Sequence, residues 1–290
     1  TQQRVQQVTA LGSTFKTQVQ EWKNTLLRGR SAQMLDRHWA AFAEQERAHL
    51  SCRIAPPEVN LPSARVLPMV RALVEQVNAE RLAAAQALRA KVETAARLAG
   101  VPVDCEILSD HYLEAREKVV AGARASDYVV LPQAGGALSA ETGLIEGVLF
   151  GCGRPAIVVP RQWTMGATAK RIVVAWDGGA RAARAVGDAM PLLARADDVE
   201  VVCITDGAAG DLAGSDIPRH LARQCRQLRL LDLPIAHDDA GRTLSEHLAS
   251  APADLLVMGA FAHSRLFQLV LGGVTSSMLE TARLPVLYSY

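Results

Sequence analysis

Two stretches of this chain run through the same elements in the same order. ASDYVVLP at 125–132 matches PADLLVMG at 252–259, and GRPAIVVP at 153–160 matches RLPVLYSY at 283–290. Asp127 precedes Pro155 by 28 residues and Asp254 precedes Pro285 by 31, so type, order and spacing agree. Each matched segment is a short, nearly continuous apolar run, the mark of a strand covered on both faces. Between the runs lie helical patterns, and strands alternating with helices build a parallel sheet. The chain is therefore expected to be α/β and internally duplicated, with two open, mainly parallel sheets, the first incomplete.

Along the first copy the expected elements are a strand at AHLSCRIA (48–55), closed by Pro56-Pro57, and an Ala-rich helix from about Ser63 to Leu98. That helix stops at Gly100-Val101-Pro102, a helix C-terminus signal. Strands follow at 103–108, 127–132 and 155–160, with helices at about 112–125 and over LIEGVLF. The second copy opens on RIVVAWDGG (171–179), an apolar strand ending in an acid and two glycines. A helix is expected at about Ala180–Leu193, a strand at 199–205 and a helix near Ile217–Leu228. A strand at about Pro234–His237, a helix over Leu244–Ala249, a strand at 254–259, a helix near Thr275–Thr281 and the strand 285–290 complete it. Ahead of both copies, Val5, Val8, Leu11, Phe15, Val19, Trp22 and Leu26 form a heptad-like seam. Residues 1–47 thus form a helical appendage, 48–162 a first and degenerate domain, and 171–290 a second.

Composition removes several functions. Lys+Arg 31 against Asp+Glu 30, with aromatics at 4%, leaves no basic or stacking surface for nucleic acid. The most apolar stretch, 144–160, contains Glu146, Arg154 and Pro155, so no membrane span is expected. The first thirty residues lack the apolar core of a signal peptide. Cys52, Cys105, Cys152, Cys203 and Cys225 are scattered and unpaired by any C-x-x-C spacing, which reads as reduced thiols in a cytoplasmic protein without a zinc site.

The residues able to carry chemistry gather at strand ends of the second copy. Asp177 and Gly259 end predicted strands, the position where parallel α/β sheets bind ligands. Gly272-Gly273 precede a helix whose N–H groups suit phosphate, and Thr275 and Ser276 are set to cap that helix or bond phosphate oxygens. Each residue also has a plain reading: Asp177 as a cap for the next helix, Gly259 and Gly272 as turn glycines. His263-Ser264-Arg265 lacks a third partner to orient a base, so no catalytic residue is assigned, and Arg265 is read as a phosphate or acidic-surface contact. His220, His237 and His247 have no metal-ligand spacing and are read as surface residues. Cys203 is read as core.

The segment 258–290 resembles the universal stress protein family in its tandem form. The family signature is Gly, two residues, Gly, nine residues, Gly and a hydroxyl residue. Here Gly259 opens it, Ala262 stands at the second glycine, His263 to Leu271 span the interval, Gly272 follows, and Gly273 replaces the hydroxyl. Asp177 matches the strand-end acid. The resemblance implies an adenine-nucleotide α-hydrolase-like fold and ATP or a related adenine nucleotide, with Asp177 near the nucleoside and the glycine loop around the phosphates. It also implies a non-catalytic stress-response or regulatory protein that self-associates through its terminal strands, as an internal pseudo-dimer or a homodimer. A protein-interaction module without nucleotide and a weak ATPase or phosphotransfer enzyme stay as alternatives. Residues 8–48 separately resemble a helix of chemotaxis-receptor sensor regions.

Overall fold

A computed structural model describes residues 49–56, 68–109, 111–136, 139–165, 169–205, 216–251, 253–260 and 273–290. The heptad seam of 1–47 and the receptor-like stretch 8–48 lie outside the described residues. The chain divides into two compact units, Thr1–Val119 and Val120–Tyr290.

In the first unit, β1 (Leu50–Ile54) and β2 (Val103–Ile107) pair in parallel, joined by the 31-residue helix α1 (Pro68–Leu98). Ala85, Val92 and Ala96 are buried along α1, a helical stripe of small residues that lets its backbone settle on both strands. The helix ends where the sequence signals. Gly100 has φ +66°, its N–H donates to Arg97 O at 3.1 Å, and Val101 N–H donates to Ala96 O at 2.9 Å. That is the Schellman bond pair, satisfying two carbonyls the helix end would leave bare. Arg53 fixes the end of β1 by donating to Lys118 O at 3.1 Å, in the middle of α2 (Tyr112–Ala123).

The second unit holds a seven-stranded sheet. Its strands are β3 (Val129–Pro132), β4 (Ala156–Val159), β5 (Arg171–Ala175), β6 (Asp198–Thr205), β7 (Leu228–Pro234), β8 (Leu255–Gly259) and β9 (Val286–Ser289). They stand in the order β3-β4-β9-β8-β5-β6-β7. All neighbours are parallel except β4 and β9, which pair antiparallel with Ile157 opposite Leu287. The helices are α3 (Ala140–Gly151), α4 (Ala180–Leu193), α5 (Asp216–Leu221), α6 (Ala240–Ser250) and α7 (Val274–Thr281).

Strand residues sort to two faces by alternation. Ile172, Val174, Val199, Val201, Val257 and Leu287 are buried on the α4 side, where Ala182, Ala185 and Ala189 keep the helix close. Asp188 of α4 ties distant strands together. Its carbonyl accepts the Tyr128 hydroxyl at 2.6 Å and its carboxylate the Ser289 hydroxyl at 2.8 Å. Gln133, just past β3, donates to the carbonyls of Leu279, Glu280 and Ala282, each at 3.2 Å, and so closes the C-terminus of α7.

Two local expectations change. The helix expected near Ile217–Leu228 ends at Leu221, and the strand expected at Pro234–His237 is instead β7, Leu228–Pro234. Leu231 and Leu233 share one half-buried face between exposed Leu230, Asp232 and Pro234, but Leu230-Leu231 side by side disguise the two-residue period. His237 and Asp238, at φ 56° and 52°, form the turn after it.

Candidate functional site

The strand order reverses at β5. From there the chain goes outward to β6 and β7, then crosses back to β8 on the other side of β5. A reversal of this kind is where open α/β sheets bind ligands, at the carboxyl ends of the strands. Asp177 follows β5 and Gly259 ends β8, so the two sequence-identified residues flank this point.

Asp177 is exposed. Its Oδ1 accepts the Gly179 N–H at 2.7 Å, a side chain bonding its own backbone two residues on. Gly178 between them has φ +74°, in the left-handed region that favours glycine. Gly179 is the N-cap of α4 and no side chain bonds the first turn. The carboxylate thus shapes the entry to α4 from two positions before the cap, rather than capping the helix itself.

Gly259 has a packing reason to be glycine. A Cβ there would come within 2.8 Å of Ala182 N and of Arg181 C, both backbone atoms of the first turn of α4. Strand end and helix start therefore touch main chain to main chain. Arg181 in that turn lies over the Tyr290 ring at 4.5 Å, and Tyr290 meets Phe150 edge-on with centroids 4.8 Å apart. The α4 entry is held from β8, from the turn at Asp177 and from the aromatic pair.

Gly273 is the N-cap of α7, extended at φ −161°, and among the described residues nothing lies within 4 Å of where a Cβ would go. Among the described residues no side chain caps this helix: Thr275 and Ser276, expected to cap it or to bond phosphate oxygens, both lie inside its first turn, Thr275 buried and Ser276 half-buried. The cap position belongs to Gly273, which offers only its backbone. The remaining candidates, Ala262, His263, Arg265 and Gly272, lie outside the described residues.

At the opposite end of the sheet is a feature that sequence spacing does not signal. His247 on α6, read from sequence as a surface residue, is only 12% exposed and bonds Glu200 of β6 through Nε2 at 2.7 Å; Glu200 is also 12% exposed. Glu200 sits mid-strand on the α6 face, where an unpartnered carboxylate would be costly. Beside it, Arg229 of β7 pairs with Asp198 of β6. A cavity of about 190 Å³, lined by Arg171, Asp198, Glu200 and Arg229, opens there at the amino ends of the strands. Among the described residues, no group of three His, Cys, Asp or Glu side chains is arranged to hold a metal, and no helix is long and apolar enough to cross a membrane.

Residues 168–288 match the Universal stress protein family. Among solved structures, a universal stress protein from Archaeoglobus fulgidus DSM 4304 shares the fold at TM-score 0.58 and 14% identity, covering 83% of this chain and 85% of that one. The universal stress protein UspA from Lactobacillus plantarum aligns at TM-score 0.34 and 17% identity, covering 43% of this chain and all of its own. A functionally unknown protein from Pseudomonas aeruginosa PAO1 aligns at TM-score 0.49 and 14% identity, covering 82% of this chain and 92% of that one. No curated protein matches the chain.

Proposed function

Because residues 168–288 form a universal stress protein domain, we propose that this chain is a non-catalytic stress-response regulator whose second domain holds an adenine nucleotide. The observation that carries this reading is the reversal of strand order at β5, with Asp177 just past the end of β5 and Gly259 ending its neighbour β8. ATP or a related nucleotide would meet an exposed carboxylate at Asp177, suited to nucleoside hydroxyls. Its phosphates would meet the uncapped start of α7 at Gly273, where N–H groups and the positive end of the helix dipole favour anions. Thr275 and Ser276 follow in the same turn, and the loop carrying Ala262, His263, Arg265 and Gly272 supplies the rest of the family pattern.

A protein-interaction module without nucleotide is the second reading, and it too has an observation behind it. Asp177 already accepts a backbone N–H, and the glycine at 259 is accounted for by packing against Arg181 and Ala182. Mass spectrometry of the denatured, freshly purified chain separates the two. Unchanged ATP supports nucleotide binding, ADP supports turnover, and an empty protein that also fails to bind ATP by calorimetry supports the interaction module.

We read the antiparallel joint of β4 and β9 as the internal counterpart of the strand association expected for PVLYSY, a pseudo-dimer contact made within one chain.

A further inference from the structure

Cys52 and Cys105, far apart in sequence, stand directly opposite one another on β1 and β2. Neighbouring strands run about 4.8 Å apart, and a disulfide accepts Cα separations of roughly 4.4–6.8 Å. Register partners in a parallel pair also point to the same face. Both thiols are free and half-buried. We propose that Cys52 and Cys105 are a reversible redox pair that closes to a disulfide under hydroperoxide and staples β1 to β2.

Their surroundings assign the order of events. Burial first, then the neighbouring Cys105 thiol, push the Cys52 thiol up to about 12. Burial also raises Cys105, but there the Cys52 S–H and the Arg89 guanidinium act in the other direction, against Glu93 and Asp104. With the Arg89 guanidinium favouring its thiolate, Cys105 is assigned as the attacking thiol. Its thiolate attacks hydrogen peroxide, forming an S–O bond and breaking O–O; the released hydroxide takes up the thiol's proton as water. Cys52 then attacks the sulfenic sulfur, S–S forms, S–O breaks, and the departing hydroxide leaves with the Cys52 proton as a second water. Two thiols lose two electrons, and one peroxide becomes two waters. With both thiols held largely protonated, the first step is slow, as suits a response to sustained oxidant.

The bridge would matter where it forms. A two-stranded sheet is marginal on its own, and β1–β2 depends on α1 to cover it. A cross-link that closes the chain from 52 to 105 restrains that layer covalently, and a bridge at half-exposed positions is open to reduction.

The test treats the full chain with hydrogen peroxide, blocks remaining thiols under denaturing conditions, and maps non-reduced peptides by mass spectrometry. The expected result is one peptide pair joined through Cys52 and Cys105, two hydrogens lighter than its parts, split by dithiothreitol and lost in Cys105→Ser. In Cys52→Ser, Cys105 should be trapped as a sulfenic acid by dimedone. Recovery of both cysteines as separate thiols or over-oxidised acids in the untouched chain, or a bridge from either to Cys225 or to a second chain, overturns the proposal.

Discussion

Gly259 and Ala182 meet backbone to backbone: a Cβ added to Gly259 would lie 2.8 Å from the Ala182 nitrogen. Neither partner can retreat, because Gly259 is tied into the sheet opposite Ser289 and Ala182 is buried in the first turn of α4. Gly259→Ala should therefore lower stability by about 1–3 kcal/mol through overpacking, read as a reduced denaturant midpoint. Gly273→Ala, where no described residue lies within 4 Å of the added Cβ, should leave the midpoint almost unmoved.

Asp177→Ala separates two roles of one carboxylate. Losing the bond to Gly179 N–H loosens the entry to α4, so Asp177→Asn, whose side-chain carbonyl still accepts that bond, should restore the midpoint. If the carboxylate also holds a nucleoside, Asn should not restore ATP affinity in calorimetry. Equal ATP binding by wild type, Ala and Asn removes Asp177 from the nucleotide reading.

His247→Leu should cost about 1–3 kcal/mol, because it strands the Glu200 carboxylate with its hydrogen bond unmade. Glu200→Gln in the same protein should recover part of the loss. A double-mutant cycle that shows no coupling would contradict the observed pair.

Leu287 lies between Ile157 of β4 and Val257 of β8 and is fully buried. Leu287→Ala should cost about 2–5 kcal/mol from the lost side chain alone. Leu287→Pro also removes a backbone donor inside the sheet and should cost more. Light scattering should give the same mass for the Ala variant as for wild type, since the joint is made within one chain.

Stability should fall from about pH 10 upward. Burial raises the Tyr128 hydroxyl above its ordinary range, with Asp188 and Asp127 adding to it, and burial alone raises Tyr288. The neutral phenols are favoured in the fold, so their contribution is complete below the unfolded value and is lost as pH rises through the folded one. Tyr128→Phe should flatten part of that alkaline loss in a pH series of thermal melts. At neutral pH it should cost about 1 kcal/mol for the bond to Asp188 O.

The alternation of apolar strands and helices made most elements legible, and α4 falls at Ala180–Leu193 as read. Periodicity is a local signal, and it worked where one face of an element is buried. It failed at β7, where adjacent leucines at an exposed sheet edge blur the two-residue period. The strand-end positions of Asp177 and Gly259 were legible too, but the reason for glycine at 259 was not, since it lies in the backbone of α4. The same holds for His247 with Glu200 and for Cys52 with Cys105. These pairs are made by strand register and helix docking, and nothing in their sequence spacing announces them.

The antiparallel joint also governs when the sheet can assemble. β9 is the last of its strands to leave the ribosome, yet it stands between β4 and β8 in the finished sheet. Until it arrives, β4 has no partner on that side and β8 presents a bare edge. Contacts this remote in sequence slow folding, and unpaired edges in a nascent chain recruit other chains. The β3–β4 pair must therefore wait through the synthesis of the entire 160–285 segment before its neighbour in the sheet exists, so the exposed edge belongs to the newly made chain and not to the finished one.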